Sequence, residues 1–142
     1  MIYTKMTKKA LELCFEAHKE KKDKSGLPYV FHPFHLAEQM ETEETIIVAL
    51  LHDVVEDSDF TLEDLVGMGF SNNVIEAVRL MTHDKSVDYK DYVKAIKKNA
   101  IARVVKLADL KHNSDLSRLD VIDEKALKRR NNYLDAIRIL EG

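Results

Sequence analysis

The sequence predicts an all-α fold, a compact bundle of about seven or eight helices, on three observations. Apolar residues recur at spacings of three and four through most of the chain. Residues that cap helices stand before those stretches, and the few breakers, four glycines and two prolines, fall largely between them. Alternating apolar and polar runs, which would mark strands, are scarce.

Thr7 is read as the cap of a first helix over about residues 8–21, with Ala10, Leu11, Cys14, Phe15, Ala17 and His18 along one side. Gly26, Pro28 and Pro33 make residues 22–33 a loop, and a short helix follows over about residues 34–40. Thr42 starts a helix running to about Val55 that is apolar around most of its circumference and so belongs at the centre. Thr61 caps a short helix ended by Gly67 and Gly69, and Ser71 or Asn72 opens the next. Asp88 begins the stretch with Tyr92, Val93 and Ile96. Asn99 begins a second apolar helix that is polar towards Arg118, and Asp123 begins the last, with Ala126, Leu127, Tyr133, Leu134, Ile137 and Leu140 facing inward.

The 142 residues, 45% of them hydrophobic, suit one domain over 1–142 that needs no disulfide or structural metal to hold a core. The lone Cys14 allows no disulfide within the chain and fits a reducing, cytoplasmic setting. With 22 basic against 25 acidic residues the net charge is −3, which argues against a nucleic-acid partner. No apolar run approaches the roughly 20 residues that span a bilayer, and no signal peptide follows Met1–Lys5, so no membrane partner is expected. Weak homo-oligomerisation through an outer helix is compatible with the sequence, although no stripe is diagnostic of it.

Chemistry concentrates at the polar tips of the two apolar helices. The first reads Leu50-Leu51-His52-Asp53-Val54-Val55-Glu56-Asp57. Helical spacing pairs His52 with Glu56 and Asp53 with Asp57, and allows His52 and Asp53, about 100° apart, to reach one edge. Imidazole with carboxylate suits a borderline divalent ion such as manganese, iron or zinc. The second helix carries Asp109, with His112 and Asn113 on its face, which can complete the site from the opposite wall; His32, after the Gly-Leu-Pro-Tyr turn, is a fourth candidate ligand. Each member has a plain structural alternative: Asp can merely orient a buried His, and Glu56 and Asp57 can merely solvate a helix end.

These residues carry a family resemblance. Ala17-His18, Lys24-Ser-Gly26-Leu-Pro28-Tyr29-Val-Phe-His32-Pro33, the His52–Asp57 block and Val105-Lys-Leu-Ala-Asp109-Leu-Lys-His-Asn113 resemble the HD-domain metal-dependent phosphohydrolases. More narrowly, they resemble the guanosine tetra- and pentaphosphate pyrophosphohydrolase domain of the Rel/Spo enzymes and their small stand-alone relatives. The resemblance implies one manganese ion held by His32, His52, Asp53 and Asp109. It implies water activation and proton transfer by the acidic pair Glu56 and Asp57; the sequence does not divide their roles, and we take Glu56 as the first choice for proton acceptor with Asp57 as its partner. It also implies contacts to a small-molecule nucleotide from Asn113 and, in the loop, Lys24, and release of a 3′-pyrophosphate; Tyr29 either lines the nucleotide pocket or packs over the first helix.

Two departures stand out. Asp23 occupies the place where that family has an Arg beside the guanine, and Leu110 follows Asp109 where an Arg is usual. They keep open an HD phosphohydrolase acting on another nucleotide, and a nucleotide-binding regulator without turnover. If position 23 has drifted from guanine recognition, Asp23→Arg is expected to improve turnover of the guanine alarmone.

Overall fold

The computed structural model describes all 142 residues. It is all-helical, with eight helices of six residues or more: α1 (Lys5–His18), α2 (Phe31–Glu38), α3 (Glu43–Leu51), α5 (Leu62–Gly67), α6 (Asn72–Met81), α7 (Tyr89–Lys97), α8 (Ala100–Asn113) and α9 (Glu124–Glu141). A single turn, α4 (Val54–Asp57), follows α3, and a 3₁₀ turn at Leu116–Arg118 follows α8.

Local chemistry sets most of the helix starts. The side chains of Thr61, Ser71, Asp88, Asn99 and Asp123 each accept a backbone N–H from the first turn of the helix they precede. The first helix begins three residues before its expected start, because Thr4 rather than Thr7 is the cap. Thr4 Oγ1 takes the Thr7 N–H at 3.1 Å while Thr7 Oγ1 takes the Thr4 N–H at 2.7 Å, a reciprocal capping box. Likewise α2 begins at Phe31, placing Pro33 in its first turn, where a missing N–H removes no intrahelical bond. Gly69, at φ 92°, supplies the left-handed residue that turns the chain after α5.

Helix α3 is the centre of the molecule. Every residue from Thr45 to Leu51 is buried, and α1, α2, α6 and α8 pack around it. Truncating Leu50 or Leu51 to Ala would cost about 2–5 kcal/mol through lost burial and the cavity left behind. Helix α8 buries Ala102, Val105, Asp109 and Leu110 but leaves Val104 exposed, so it flanks α3 rather than sharing its full enclosure. On α9 the inner stripe is Ala126, Ala136 and Leu140; Leu127, expected inside, lies 43% exposed. No helix is long and apolar enough to cross a membrane.

Candidate metal centre and adjoining cleft

The expected continuous helix over residues 43–55 is interrupted. It ends at Leu51, and Asp53 adopts φ −107° and ψ 0° before α4 resumes. This break positions the site. On an unbroken helix the neighbouring side chains would diverge by about 100°. Here both His52 and Asp53 converge, with His52 Nε2 3.1 Å from Asp53 Oδ2. Asp109, buried on α8, brings Oδ1 to 3.6 Å from the same His52 nitrogen. From α2, His32 Nε2 lies 2.8 Å from Asp109 Oδ1. Ligand atoms of His32, His52 and Asp109 all fall within 4.8 Å of one another, a group able to hold a metal ion.

The tautomer of His52 sharpens this geometry. Its Nδ1 lies 2.7 Å from the Ala49 carbonyl oxygen, which can only accept, so Nδ1 carries a proton. In the neutral ring Nε2 therefore presents a lone pair towards two carboxylates, and it is buried without an aligned hydrogen-bond partner. Three electron-rich groups facing one another need positive charge between them, either a proton or a cation. Burial opposes a charged His52, but the carboxylates of Asp53 and Asp109 outweigh it and hold its pKa well above the ordinary value. Burial likewise opposes ionisation of Asp53, yet His52 brings it down to about 2. Two imidazoles and the Asp109 carboxylate, with Asp53 beside His52 but outside that group of three and an orphaned, inward-facing nitrogen between them, fit a divalent ion of the manganese, iron or zinc kind.

Surrounding residues orient these groups. Tyr29 donates its phenolic O–H to Asp53 Oδ2. Asn113 donates to Asp109 Oδ1 at 3.0 Å, and Lys106 Nζ donates to Asp109 Oδ2 at 2.8 Å. Against the cost of burial, Lys106 and then the two histidines keep the Asp109 carboxyl well below its usual range. His32 Nδ1 shares a 2.7 Å hydrogen bond with His112 Nδ1. Burial first, then the nearby Arg118 cation, pushes His112 down to about 4, so it is neutral near pH 7. Spacing along the sequence put His112 on the face of Asp109 but gave it no role, and it gave Lys106 none either, although Lys106 stands three residues before Asp109 and so can share its face.

The acidic pair behaves differently from its expected pairing. Because the helix breaks, Glu56 does not turn back to His52; its Oε1 accepts the His83 backbone N–H at 2.7 Å, tying α4 to the α6–α7 connection. The Asp57 carboxyl makes no hydrogen bond, while Lys21 Nζ donates to the Asp57 main-chain carbonyl oxygen. Burial, followed by the charge of Asp53, raises the Asp57 pKa.

Beside the cluster opens a cleft of about 370 Å³ whose walls include Lys24, Tyr29, Asn113, Arg118, Arg129 and Tyr133. Tyr29 and Asn113 belong to both regions, bonding Asp53 and Asp109 from the cleft wall. Neither Lys24 nor Arg129 has a carboxylate partner. Partial burial and the approach of Arg129 lower the Lys24 pKa, as two unpaired cations on one wall require.

No family model matches the chain. Individual proteins do. Over 124 residues it is 32% identical to the guanosine-3′,5′-bis(diphosphate) 3′-pyrophosphohydrolase MESH1 of Drosophila melanogaster, a match covering 80% of this chain and 69% of that protein. The chain belongs to the Rel/Spo family of HD-type hydrolases.

A guanosine-3′,5′-bis(diphosphate) 3′-pyrophosphohydrolase of Aquifex aeolicus (strain VF5) is 41% identical over 86 residues, covering 58% of the chain. The chain spans only 12% of that relative's length. A solved structure described as "A metazoan ortholog of SpoT hydrolyzes ppGpp and plays a role in starvation responses" superposes with a TM-score of 0.73 at 27% identity, covering 99% of this chain and 85% of the other. The all-α Rel/Spo fold expected from the sequence is therefore the fold observed.

Proposed function

We propose that the chain is a manganese-dependent 3′-pyrophosphohydrolase of guanosine tetra- and pentaphosphate. The observation that carries this reading is the joining of two features through Tyr29 and Asn113: a buried His-His-Asp cluster, and a cleft with unpaired cations. Relatives that are named for this reaction, including the Drosophila protein, support it.

His32, His52, Asp53 and Asp109 would hold the ion, with Tyr29, Asn113, Lys106 and His112 fixing their orientation. A divalent ion there supplies Lewis acidity to a phosphoryl oxygen and a bound water of lowered pKa. Lys24 and Arg129 bind substrate phosphates, since an anion relieves the repulsion between them. Asp57 accepts the proton of the attacking water, because its carboxyl is free and its pKa is raised. Glu56, held by His83, positions α4, so the first choice as proton acceptor passes from Glu56 to Asp57.

Asp23 favours a second reading, an HD phosphohydrolase acting on another nucleotide. Incubating the purified protein with manganese and a panel of nucleotides, with His52→Ala as blank, separates the two. Release of pyrophosphate from guanosine tetraphosphate supports the first reading. Turnover of a different nucleotide with the alarmone untouched contradicts it.

A further inference from the structure

Asp23 divides its carboxylate between two tasks. Oδ1 accepts the Ser25 N–H at 2.9 Å, the Ser25 hydroxyl and the Leu27 N–H at 3.1 Å, so the α1–α2 loop is wound around it. Gly26, at φ 85°, makes that tight path accessible. Oδ2 accepts Arg118 Nη2 at 3.1 Å, across 95 positions of sequence. Arg118 Nη1 in turn donates to the His112 carbonyl oxygen at 2.9 Å. The guanidinium is thus fixed to the loop on one side and, on the other, to the helix that carries Asp109.

We propose that Asp23 and Arg118 act as one unit that recognises a purine base, the carboxylate holding the guanidinium flat on the cleft wall. This rests on reading the cleft as a nucleotide site. Three observations favour a base over a phosphate as the group met there. Asp23 neutralises the charge of Arg118, whereas Lys24 and Arg129 in the same cleft have no acid beside them. One N–H on each terminal nitrogen of Arg118 is already committed within the protein, which fixes the guanidinium plane, and the face of that plane can stack on planar rings. Tyr29 and Tyr133 line the same cleft, giving it aromatic surface beside its cations. Arg118 is therefore a specificity residue, and Asp23 a positioning residue acting through it.

Calorimetric binding of GDP and of inorganic pyrophosphate to the full chain tests this, with thermal unfolding as a check on each variant. Arg118→Ala and Arg118→Lys should each weaken GDP by about tenfold or more, because neither keeps the planar group, and leave pyrophosphate within about twofold. Asp23→Asn should weaken GDP but tighten pyrophosphate, since it frees the guanidinium and its charge. If Arg118→Ala fails to fold, Arg118→Lys, which keeps the cation, gives the result. Unchanged GDP affinity, equal loss for GDP and pyrophosphate, or no GDP binding by the wild type would each overturn the proposal. Wild-type GDP binding without hydrolysis of guanosine tetraphosphate would count against the reaction alone.

Discussion

Lys106 and Asp109 form a buried ion pair within one helix: Nζ meets Oδ2 at 2.8 Å, with side-chain exposures of 12% and 6%. The other oxygen, Oδ1, faces His32, His52 and Asn113. One carboxylate thus joins an internal cation to the candidate metal centre. Its negative charge is already compensated on one side, which lets the metal-free protein keep a buried carboxylate ionised.

Removing that cation should be costly. Lys106→Met keeps the aliphatic stem but strands the Asp109 charge, and the metal-free protein should lose about 3–5 kcal/mol. Saturating manganese should restore much of the loss by supplying the missing positive charge. Urea unfolding with and without metal measures both effects; equal destabilisation in the two conditions would contradict this role.

The histidines predict a pH optimum of stability for the metal-free protein. His18 and His112 are held down to about 4, in each case by burial first, from an unfolded value of 6.5. Between those pH values the unfolded chain takes up protons that the folded chain refuses, so stability falls as pH drops from about 6.5 to about 4. His52 has the opposite sign. Its folded pKa is raised, so its contribution is full below 6.5 and is lost as pH climbs through that raised value. Asp53 adds stability above its unfolded pKa of 3.8 that disappears as pH falls through about 2. Stability should therefore peak near pH 6.5. Both ring nitrogens of His18 are buried without partners, so His18→Leu should flatten the acid side of the curve. An unaltered slope in the urea midpoint against pH would count against that assignment.

Asp57 and Glu56 should separate kinetically. Asp57→Asn removes the proposed proton acceptor and should lower kcat by about 10²–10⁴-fold with little change in KM. Glu56→Gln can still accept the His83 N–H, so it should lose less than about tenfold. The reverse ranking in steady-state assays would return the proton-accepting role to Glu56.

The bonds that Asp23 makes lead to a different expectation for Asp23→Arg. An Arg side chain there loses the three bonds that wind the loop and meets Arg118 as a like charge. Stability should fall by about 1–3 kcal/mol, and turnover of guanosine tetraphosphate should drop rather than rise. Faster turnover by this variant would show that the bridge has no part in substrate recognition.

What was readable in the sequence was local or periodic. Thr61, Asp88, Asn99 and Asp123 each announce a helix because a short polar side chain satisfies a first-turn N–H. The buried run Thr45–Leu51 announces its own central position. The break at His52–Asp53 left no mark, since no glycine or proline stands there; pairing Glu56 with His52 by helical spacing therefore misdirected its carboxylate. Thr7 and Thr4 are equivalent as caps by composition, and only the bonds between them decide which begins α1. The Asp23–Arg118 bridge spans 95 residues, and no local pattern predicts such a meeting.

The proposed reaction depends on His32, His52, Asp53 and Asp109 binding one divalent ion between α2, the end of α3 and α8. Manganese titration of the metal-free protein, followed by the paramagnetic resonance of free ion, tests it most directly. One ion is expected to bind per chain, with affinity rising about tenfold per pH unit while His52 must shed its proton. Folded Asp109→Asn and His52→Ala proteins should lose that binding. No bound ion in the wild type, or an undiminished ion in both variants, would contradict it.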